Sequence, residues 1–161
     1  MPIIYSVIKN LFKKKLLSSR EEECLINAIK LAEQKTSGEI RVHIESKHAS
    51  EPVTRAKEIF KKLNMHETKE RNGILFYLAI HSKQFAVWGD EGIHLKVSQE
   101  FWNEISEVCI SKFKSNLMVE GLEAGITLCG DKLKLHFPLQ SDDKNELNDA
   151  ISYWICTRCS R

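Results

Sequence analysis

An uncharged run, Gly73-Ile-Leu-Phe-Tyr-Leu-Ala-Ile80, limits most strongly what this chain can fold into. A run of this length is typical of a strand rather than a helix, and a strand this apolar has to be covered on both faces. After a short polar break, Gln84-Phe-Ala-Val-Trp-Gly89 has the composition of a second strand. The spacing predicts a β-hairpin in which the second strand returns antiparallel to the first.

The segments before this hairpin predict a helix, a strand and another helix. Ser19-Arg-Glu-Glu22 fits a capping box, and an apolar stripe at helical spacing follows it. Residues 39–45 alternate apolar and polar side chains, as expected for a strand with one buried face. The second helix then begins with Ser50 as its cap. A crossover of this length predicts that strands 39–45 and 73–80 are parallel.

Two more helices are predicted after the hairpin. One is opened by Val97-Ser98, and a longer one extends from about Leu117 to Leu135. Gly121 and Gly125 stand four residues apart on the longer helix, where they would allow another backbone to approach closely. The chain of 161 residues is the right size for one domain. The pattern therefore predicts an α/β domain with a parallel β-α-β unit followed by a β-hairpin, and helices packed on the sheet.

The predicted domain spans residues 19–138, between two segments of different character. Residues 1–18 form a leader or amphipathic segment, and within it residues 1–17 could either contact a membrane surface or pack on the domain. Residues 139–161 have the composition of a solvated tail. No run of eighteen apolar residues occurs, so no transmembrane helix is expected.

Charge and cysteine content narrow the function classes. A formal net charge of +2 argues against nucleic-acid binding, which usually requires a strongly basic face. Five cysteines without a secretory signal indicate a cytoplasmic protein with reduced thiols. Cys156-Thr-Arg-Cys159 has the CxxC spacing of metal and redox sites, but a structural zinc site needs four ligands and no second pair follows.

The strand directions predict where a functional site would lie. The beginnings of strands 39–45 and 73–80 and the end of strand 84–89 must share one edge of the sheet. This edge collects candidate metal ligands and candidate ligand-binding residues: Glu39, Asp90 and Glu91 for a metal, and Arg71, Asn72, Gly73 and Gly89 for a ligand. Carboxylate-rich sites suit a hard cation, with calcium the first expectation and magnesium the second. The alternative is ordinary surface ion pairing, worth about 0–1 kcal/mol per pair.

Four motifs in this order resemble the TPM domain family: Thr36-Ser-Gly-Glu-Ile-Arg-Val42, Arg71-Asn-Gly-Ile-Leu-Phe76, Trp88-Gly-Asp-Glu-Gly-Ile93 and Phe101-Trp-Asn103. The family includes thylakoid-lumen phosphatase-like, photosystem-repair and acetylcholine-receptor-modulator proteins, and this chain is similar to its short, soluble bacterial branch. The resemblance implies a three-layer α/β/α sandwich around a mixed sheet, divalent-cation binding and, for some members, acid phosphatase activity. The positions that match the family pattern are Glu39, Arg71, Asn72, Gly73, Gly89 and Asp90.

The sequence leaves three functions open. The first is an accessory or binding domain in which calcium bridges Asp90 with Glu39 or Glu91. The second is a metal-assisted phosphatase that acts on phosphomonoesters, with Arg71 holding the phosphate and His94 as a candidate acid or base. The third is a structural domain that binds an unknown protein partner and uses the edge only for ion pairs.

Overall fold

Four strands form one sheet in the computed structural model, which describes residues 16–154. The elements follow in the order α1 (Ser19–Glu33), β1 (Glu39–Glu45), α2 (Pro52–Lys62), a short 3-10 helix (Met65–Glu67), β2 (Gly73–Ala79), β3 (Gln84–Gly89), α3 (Glu91–His94), α4 (Gln99–Phe113), α5 (Met118–Leu133) and β4 (Ser152–Trp154). Within these residues no helix is long and apolar enough to cross a membrane.

The strands lie in the order β3-β2-β1-β4. β1 and β2 are parallel, with Glu39 opposite Gly73, whereas β3 runs antiparallel to β2, with Gly89 opposite Ile74. β4 pairs in parallel with the outer side of β1. The register confirms a mixed sheet built from a β-α-β unit and a hairpin.

Helices cover both faces of the sheet, which makes the fold a three-layer sandwich. On one face α1, α4 and α5 pack against the even-numbered side chains of β1 and β2, such as Val42 and Phe76. On the other face α2 packs against Leu75 and Tyr77 of β2. β2 is buried along its whole length, as its uncharged sequence predicts.

Two of the three glycines of α5, Gly121 and Gly125, allow it to pack closely on α4. A Cβ atom at Gly121 would lie 2.9 Å from the carbonyl oxygen of Cys109, and one at Gly125 would overlap the Sγ atom of the same residue. The expectation that another backbone approaches here is therefore confirmed. Cys109 and Cys129 are free and buried in this interface, and Cys24 is free and half-buried on α1.

The capping box of α1 lies one residue earlier than the prediction of Ser19 and Glu22. The hydroxyl of Ser18 accepts from the backbone N–H of Glu21 at 3.2 Å, and the Glu21 carboxylate accepts from the N–H of Ser18 at 2.7 Å. The sequence fits both registers, but Leu17 is buried in the core and fixes the point where the chain enters the helix.

The cap of α2 also differs from the predicted Ser50. The carboxylate of Glu51 accepts from two backbone N–H groups of the first turn, at 3.0 and 2.9 Å. Pro52 occupies the first helical position, where the lack of an N–H group is harmless. Glu51, the residue immediately before this proline, therefore caps the helix by accepting from the N–H groups of Val53 and Thr54.

The segment from residue 139 to 154 differs from the predicted solvated tail. It contains β4, and the side chain of Ile151 is 6% exposed within the core. A three-residue strand after an acidic stretch is too short to show a periodic pattern, so the sequence did not reveal it. The structure does not describe the rest of the predicted tail, which includes Cys156 and Cys159. Most of the predicted leader also lies outside the described residues.

Candidate functional site

Three distant segments meet at one edge of the sheet. The backbone N–H of Asp90 donates to the carbonyl of Gly73 at 2.9 Å, and the N–H of Glu39 donates to the carbonyl of Asn72 at 3.2 Å. The beginnings of β1 and β2 and the end of β3 therefore lie side by side, as the strand directions require.

Arg71 and Asp90 form a bidentate ion pair at this edge. Nε of Arg71 lies 2.6 Å from Oδ2 of Asp90, and Nη2 lies 2.9 Å from Oδ1. The Asp90 side chain is only 7% exposed, whereas that of Arg71 is 46% exposed. Oδ1 of Asp90 also accepts from the N–H of Glu91 at 2.8 Å, so the same carboxylate caps α3. The hydrogen bonds to Asp90 raise the pKa of Arg71 further above its ordinary value.

The backbone at Arg71 is held in a conformation that side chains rarely adopt. Its φ is 52°, in the left-handed region, which costs free energy for any residue except glycine. Two hydrogen bonds fix it: its N–H donates to the carbonyl of Thr68 at 3.1 Å, and its carbonyl accepts from the N–H of Gly92 at 2.9 Å. The turn at residues 68–71, which we call the Arg71 corner, therefore holds the guanidinium beside Asp90 on a fixed backbone.

A cavity of about 700 Å³ opens beside this ion pair, and we call it the Trp88 cavity. It lies between α2, the Arg71 corner and the end of β3. The residues that line it are Lys57, Phe60, Lys61, His66, Arg71, Trp88, Gly89, Asp90, Glu91 and His94. Two lysines, a guanidinium and two imidazoles thus face two carboxylates, of which Asp90 is already paired with Arg71.

Aromatic rings form one wall of the Trp88 cavity. The Nζ atom of Lys57 lies over the ring of Trp88, 4.3 Å from its centroid. The imidazole of His94 lies between two indoles, 4.9 Å from Trp88 and 5.1 Å from Trp102. The site therefore combines cationic groups with flat apolar surfaces.

Glu39 does not share this cavity. Its carboxylate accepts from the backbone N–H groups of Glu146 at 2.8 Å and Leu147 at 3.2 Å, which secures the C-terminal segment to β1. Glu39 lines a separate cavity of about 380 Å³, which we call the Glu33 cavity; it is bordered by the end of α1 and residues 139–149. Of the predicted site residues, the structure brings together Arg71, Gly89, Asp90 and Glu91, and it separates Glu39 from them.

Asn72 and Gly73 support the edge rather than line the Trp88 cavity. Nδ2 of Asn72 donates to the carbonyl of Ser37 at 2.9 Å, while its Oδ1 atom is buried without a hydrogen-bond partner. A Cβ atom at Gly73 would lie 2.9 Å from the carbonyl oxygen of Met65, so this position needs glycine for close packing on the 3-10 helix. Both residues fix the start of β2 relative to its neighbours.

The Glu33 cavity contains a carboxyl group with a strongly altered acidity. The pKa of Glu33 is raised to about 8, mainly by burial and in addition by the nearby carboxylates of Glu39 and Asp149. A hydrogen bond from the N–H of Ile40 to Glu33, 2.7 Å long, acts in the opposite direction. The raised pKa favours the protonated form of Glu33 in the folded protein at neutral pH.

The predicted metal ligands do not form a three-residue group. Within residues 16–154, no three His, Cys, Asp or Glu side chains are arranged to hold a metal ion. A cation in the Trp88 cavity would have to use Asp90 and Glu91 with backbone or water oxygens, and would compete with Arg71 for Asp90.

Comparison with known proteins identifies the family. The model of the TPM domain matches residues 12–132, which is most of the chain. This chain belongs to the TPM domain family. The BA42 protein of the psychrophilic bacterium Bizionia argentinensis has a solved structure that matches this TPM domain with a TM-score of 0.84 and 38% identity, over 88% of this chain and 98% of BA42.

Two more distant structures share the fold alone. The N-terminal domain of the cg2496 protein from Corynebacterium glutamicum is 11% identical, with a TM-score of 0.61 over 86% of this chain and 82% of its own. The N-terminal domain of a P. gingivalis protein is 19% identical, with a TM-score of 0.63 over 80% and 85% of the two chains. The search of curated proteins found no significant match.

Sequence reasoning missed the contribution of α2 to the site of this TPM domain. Lys57 and Lys61 are exposed, four residues apart, and project from one face of α2 toward the Arg71 corner. An i,i+4 lysine pair on a crossover helix was the available signal. It did not distinguish a binding face from an ordinary solvated face, because that depends on which sheet edge the helix crosses.

A buried charge network lies at the opposite end of β1. The carboxylate of Glu45 accepts from Arg55 and from the hydroxyl of Tyr77 at 2.9 Å. Burial alone would raise the pKa of Glu45, but the nearby His43 imidazole and the hydrogen bonds from Arg55 and Tyr77 more than offset this and lower it to about 2. Ser152 lies 2.8 Å from Nδ1 of His43 and thereby ties β4 to this network.

This network joins β1, α2, β2 and β4 in the interior of the fold. The Ser152 hydroxyl also lies 3.3 Å from the carbonyl of Val42, and Nε2 of His43 is 3.6 Å from Glu45, beyond hydrogen-bond distance. His43 and Glu45 are 3% and 1% exposed.

Proposed function

We propose that this TPM domain binds a small ligand that carries a phosphate group, and that it does so in the Trp88 cavity. The observation that carries the proposal is that Lys57, Lys61 and Arg71 all line the same cavity. Asp90 occupies the Nε and Nη2 atoms of Arg71, and Nη1 is not part of that pair. Guanidinium and ammonium groups are the usual partners of phosphate oxygens.

The size of the cavity fits this role. Sites for small molecules are commonly clefts of about 300–1,000 Å³ with mostly apolar walls and a few polar groups that fix orientation. The Trp88 cavity, at about 700 Å³, falls within that range. Phe60 and Trp88 supply apolar wall, and the three cations supply orientation.

Binding is better supported than hydrolysis. The residues that line the cavity in the described part of the chain include no serine, threonine or cysteine that could act as a nucleophile. Phosphatase activity would need a cation on Asp90 and Glu91 to activate water, and His94 or His66 to protonate the leaving oxygen. The metal-assisted phosphatase therefore remains an extension of the proposed binding function.

Titration calorimetry with inorganic phosphate and glycerol phosphate tests the binding proposal. Both ligands should bind the wild-type protein, and Lys57→Gln and Lys61→Gln should each weaken binding about three- to tenfold, as expected for a partly exposed charge contact. Lys47→Gln, at an exposed position outside the cavity, is the matched control and should bind as the wild type does. Absence of binding to the wild type, or an equal loss in the control, would refute the proposal.

A divalent cation is the second candidate ligand, with calcium ahead of magnesium. The favouring observation is that Asp90, which is 7% exposed, has as its counter-ion an arginine that is 46% exposed and could be displaced. Glu91 is the adjacent carboxylate and also lines the cavity. Hard cations prefer such oxygen ligands.

Thermal melts with and without calcium or magnesium test this candidate. A ligand that binds only the folded state raises the melting midpoint. The rise should be lost in Glu91→Gln, which removes one carboxylate but leaves the Arg71–Asp90 pair intact, and kept in Glu100→Gln on α4. An unchanged wild-type midpoint at millimolar calcium would exclude a calcium site.

A further inference from the structure

We infer that the ligand of the Trp88 cavity is a phosphomonoester that also carries a planar ring. The inference rests on the proposed function, because the same cations would hold the phosphate. It adds a chemical class for the rest of the ligand and assigns to Trp88 the role of the residue that selects it.

The first argument is the position of the Trp88 ring. The ring packs at the border of the core on the α2 side of the sheet and also lines the cavity. Lys57 lies over it, with Nζ 4.3 Å from the ring centroid. A lysine so placed can move its ammonium group onto a phosphate and uncover the indole face for a second ring. Cationic and aromatic contacts to one ligand are therefore available from adjacent atoms.

The second argument is that the apolar surface continues beyond Trp88. The imidazole of His94 is tilted at 55° against Trp88, and Phe60, which is 4% exposed, contributes to the same cavity. Inorganic phosphate or a phosphate on a short polar chain would leave the half-buried Trp88 indole and the exposed His94 imidazole in contact with water. A planar ring would cover them, and offset or edge-on contacts between rings add to the gain from burial.

The third argument is that the lining of this one cavity includes both kinds of group. Arg71 and Lys61 are cationic, whereas Trp88, Phe60 and His94 are aromatic. A molecule with an anionic end and a flat end can contact both kinds of group at once. Nucleoside monophosphates and phosphotyrosine share this chemistry, and the experiment distinguishes the two sources.

Titration calorimetry with four ligands tests the inference. Adenosine monophosphate and O-phosphotyrosine carry a ring, whereas glycerol phosphate and inorganic phosphate do not. Stacking on an aromatic side chain should make at least one ring-bearing ligand bind about tenfold more tightly than glycerol phosphate. The tighter of the two ring-bearing ligands identifies the source. Trp88→Leu should abolish this preference while inorganic phosphate still binds, and Trp88→Phe should keep part of it.

Two measurements keep the test decisive. Trp154→Leu, a substitution of an indole that is 48% exposed and does not line the cavity, should leave the preference unchanged. Nuclear Overhauser contacts between ligand ring protons and the Trp88 indole should appear in the wild type, even if Trp88→Leu does not fold. Equal affinity for ring-bearing and ring-free monophosphates would overturn the inference and leave the proposed function standing. Failure of every phosphate to bind would overturn both.

Discussion

Glu33 shows how one side chain can link the folded state to pH. Its carboxyl group lies at the end of α1, accepts a hydrogen bond from the start of β1 and faces the carboxylates of Glu39 and Asp149. Its pKa is about 8 in the folded protein, compared with an ordinary value of 4.5. Between these two values the folded form retains a proton that the unfolded chain has released. Stability should therefore fall as pH rises from about 4.5 to about 8.

Replacing Glu33 by Gln should remove most of that loss. Glutamine keeps an oxygen for the N–H of Ile40 and cannot ionise, so it imitates the protonated acid. At pH 9 we expect the variant to be more stable than the wild type by about 1–3 kcal/mol, since each unit of pKa shift corresponds to about 1.4 kcal/mol and the group is partly solvated. Urea unfolding at pH 5, 7 and 9 measures this. Glu23→Gln, on the exposed side of α1, is the control, and identical pH dependence in all three proteins would contradict the account.

Individual site residues were predictable from the sequence only where strand direction fixes them. The places of Arg71 and Asp90 follow from the hairpin, because Arg71 precedes β2 and Asp90 follows β3. The places of Glu33 and Lys61 could not be predicted in this way, because each residue lies on a helix. Whether its side chain lines a cavity depends on the angle at which that helix crosses the sheet. The separation of Glu39 from Asp90 was hidden for another reason: the chain segment that engages Glu39 lies more than a hundred residues later.

At the scale of elements, the short helix α3 holds the site corner together. Asp90 caps it, and the N–H of Gly92 donates to the carbonyl of Arg71, so α3 and the turn before β2 support each other. A Cβ atom at Gly92 would overlap the carbonyl oxygen of Glu70 and lie 2.7 Å from that of Arg71. Both neighbours are backbone atoms, which cannot rotate away as a flexible side chain could.

Gly92→Ala should therefore displace the corner as well as destabilise the protein. We expect a loss of about 1–3 kcal/mol, typical of an added methyl group in a close-packed place, although alanine favours helix formation. Phosphate binding should weaken in parallel because Arg71 and Asp90 shift. Urea unfolding and calorimetry measure the two effects. Glu91→Ala, at an exposed position of the same short helix, adds no such overlap; if Gly92→Ala matched it in stability, the corner would not be as tightly packed as described.

Elements were predictable in proportion to their length. β1, β3 and the start of β2 follow from clear alternation or an uncharged run, and the pattern gives their bounds closely. α3 and β4 have four and three residues, too few for a period to appear. Their formation depends on tertiary contacts: the cap and corner hydrogen bonds for α3, and pairing with β1 for β4.

For the whole molecule, the sandwich places two different cavities along one edge of the sheet. The Trp88 cavity lies where α2 and the hairpin meet and is rich in cations. The Glu33 cavity lies where α1 meets the C-terminal segment, and its carboxyl groups include Glu33, Glu39 and Asp149. The fold class and the meeting of three segments were predictable from strand order. The division of the edge into two cavities was not, because it depends on how residues 139–151 lie across the start of β1.

A nuclear magnetic resonance titration of the isotope-labelled protein with inorganic phosphate tests the central claim most directly. We predict saturable shifts of the backbone amides of Gly89 and Glu91 and of the side-chain Nε–H of Arg71, with smaller shifts along Lys57–Lys61. The amides around the Glu33 cavity, from Gln34 to Glu39, should stay in place and serve as an internal control. Saturable shifts confined to that second region, or no saturable shifts at millimolar phosphate, would contradict a phosphate site in the Trp88 cavity.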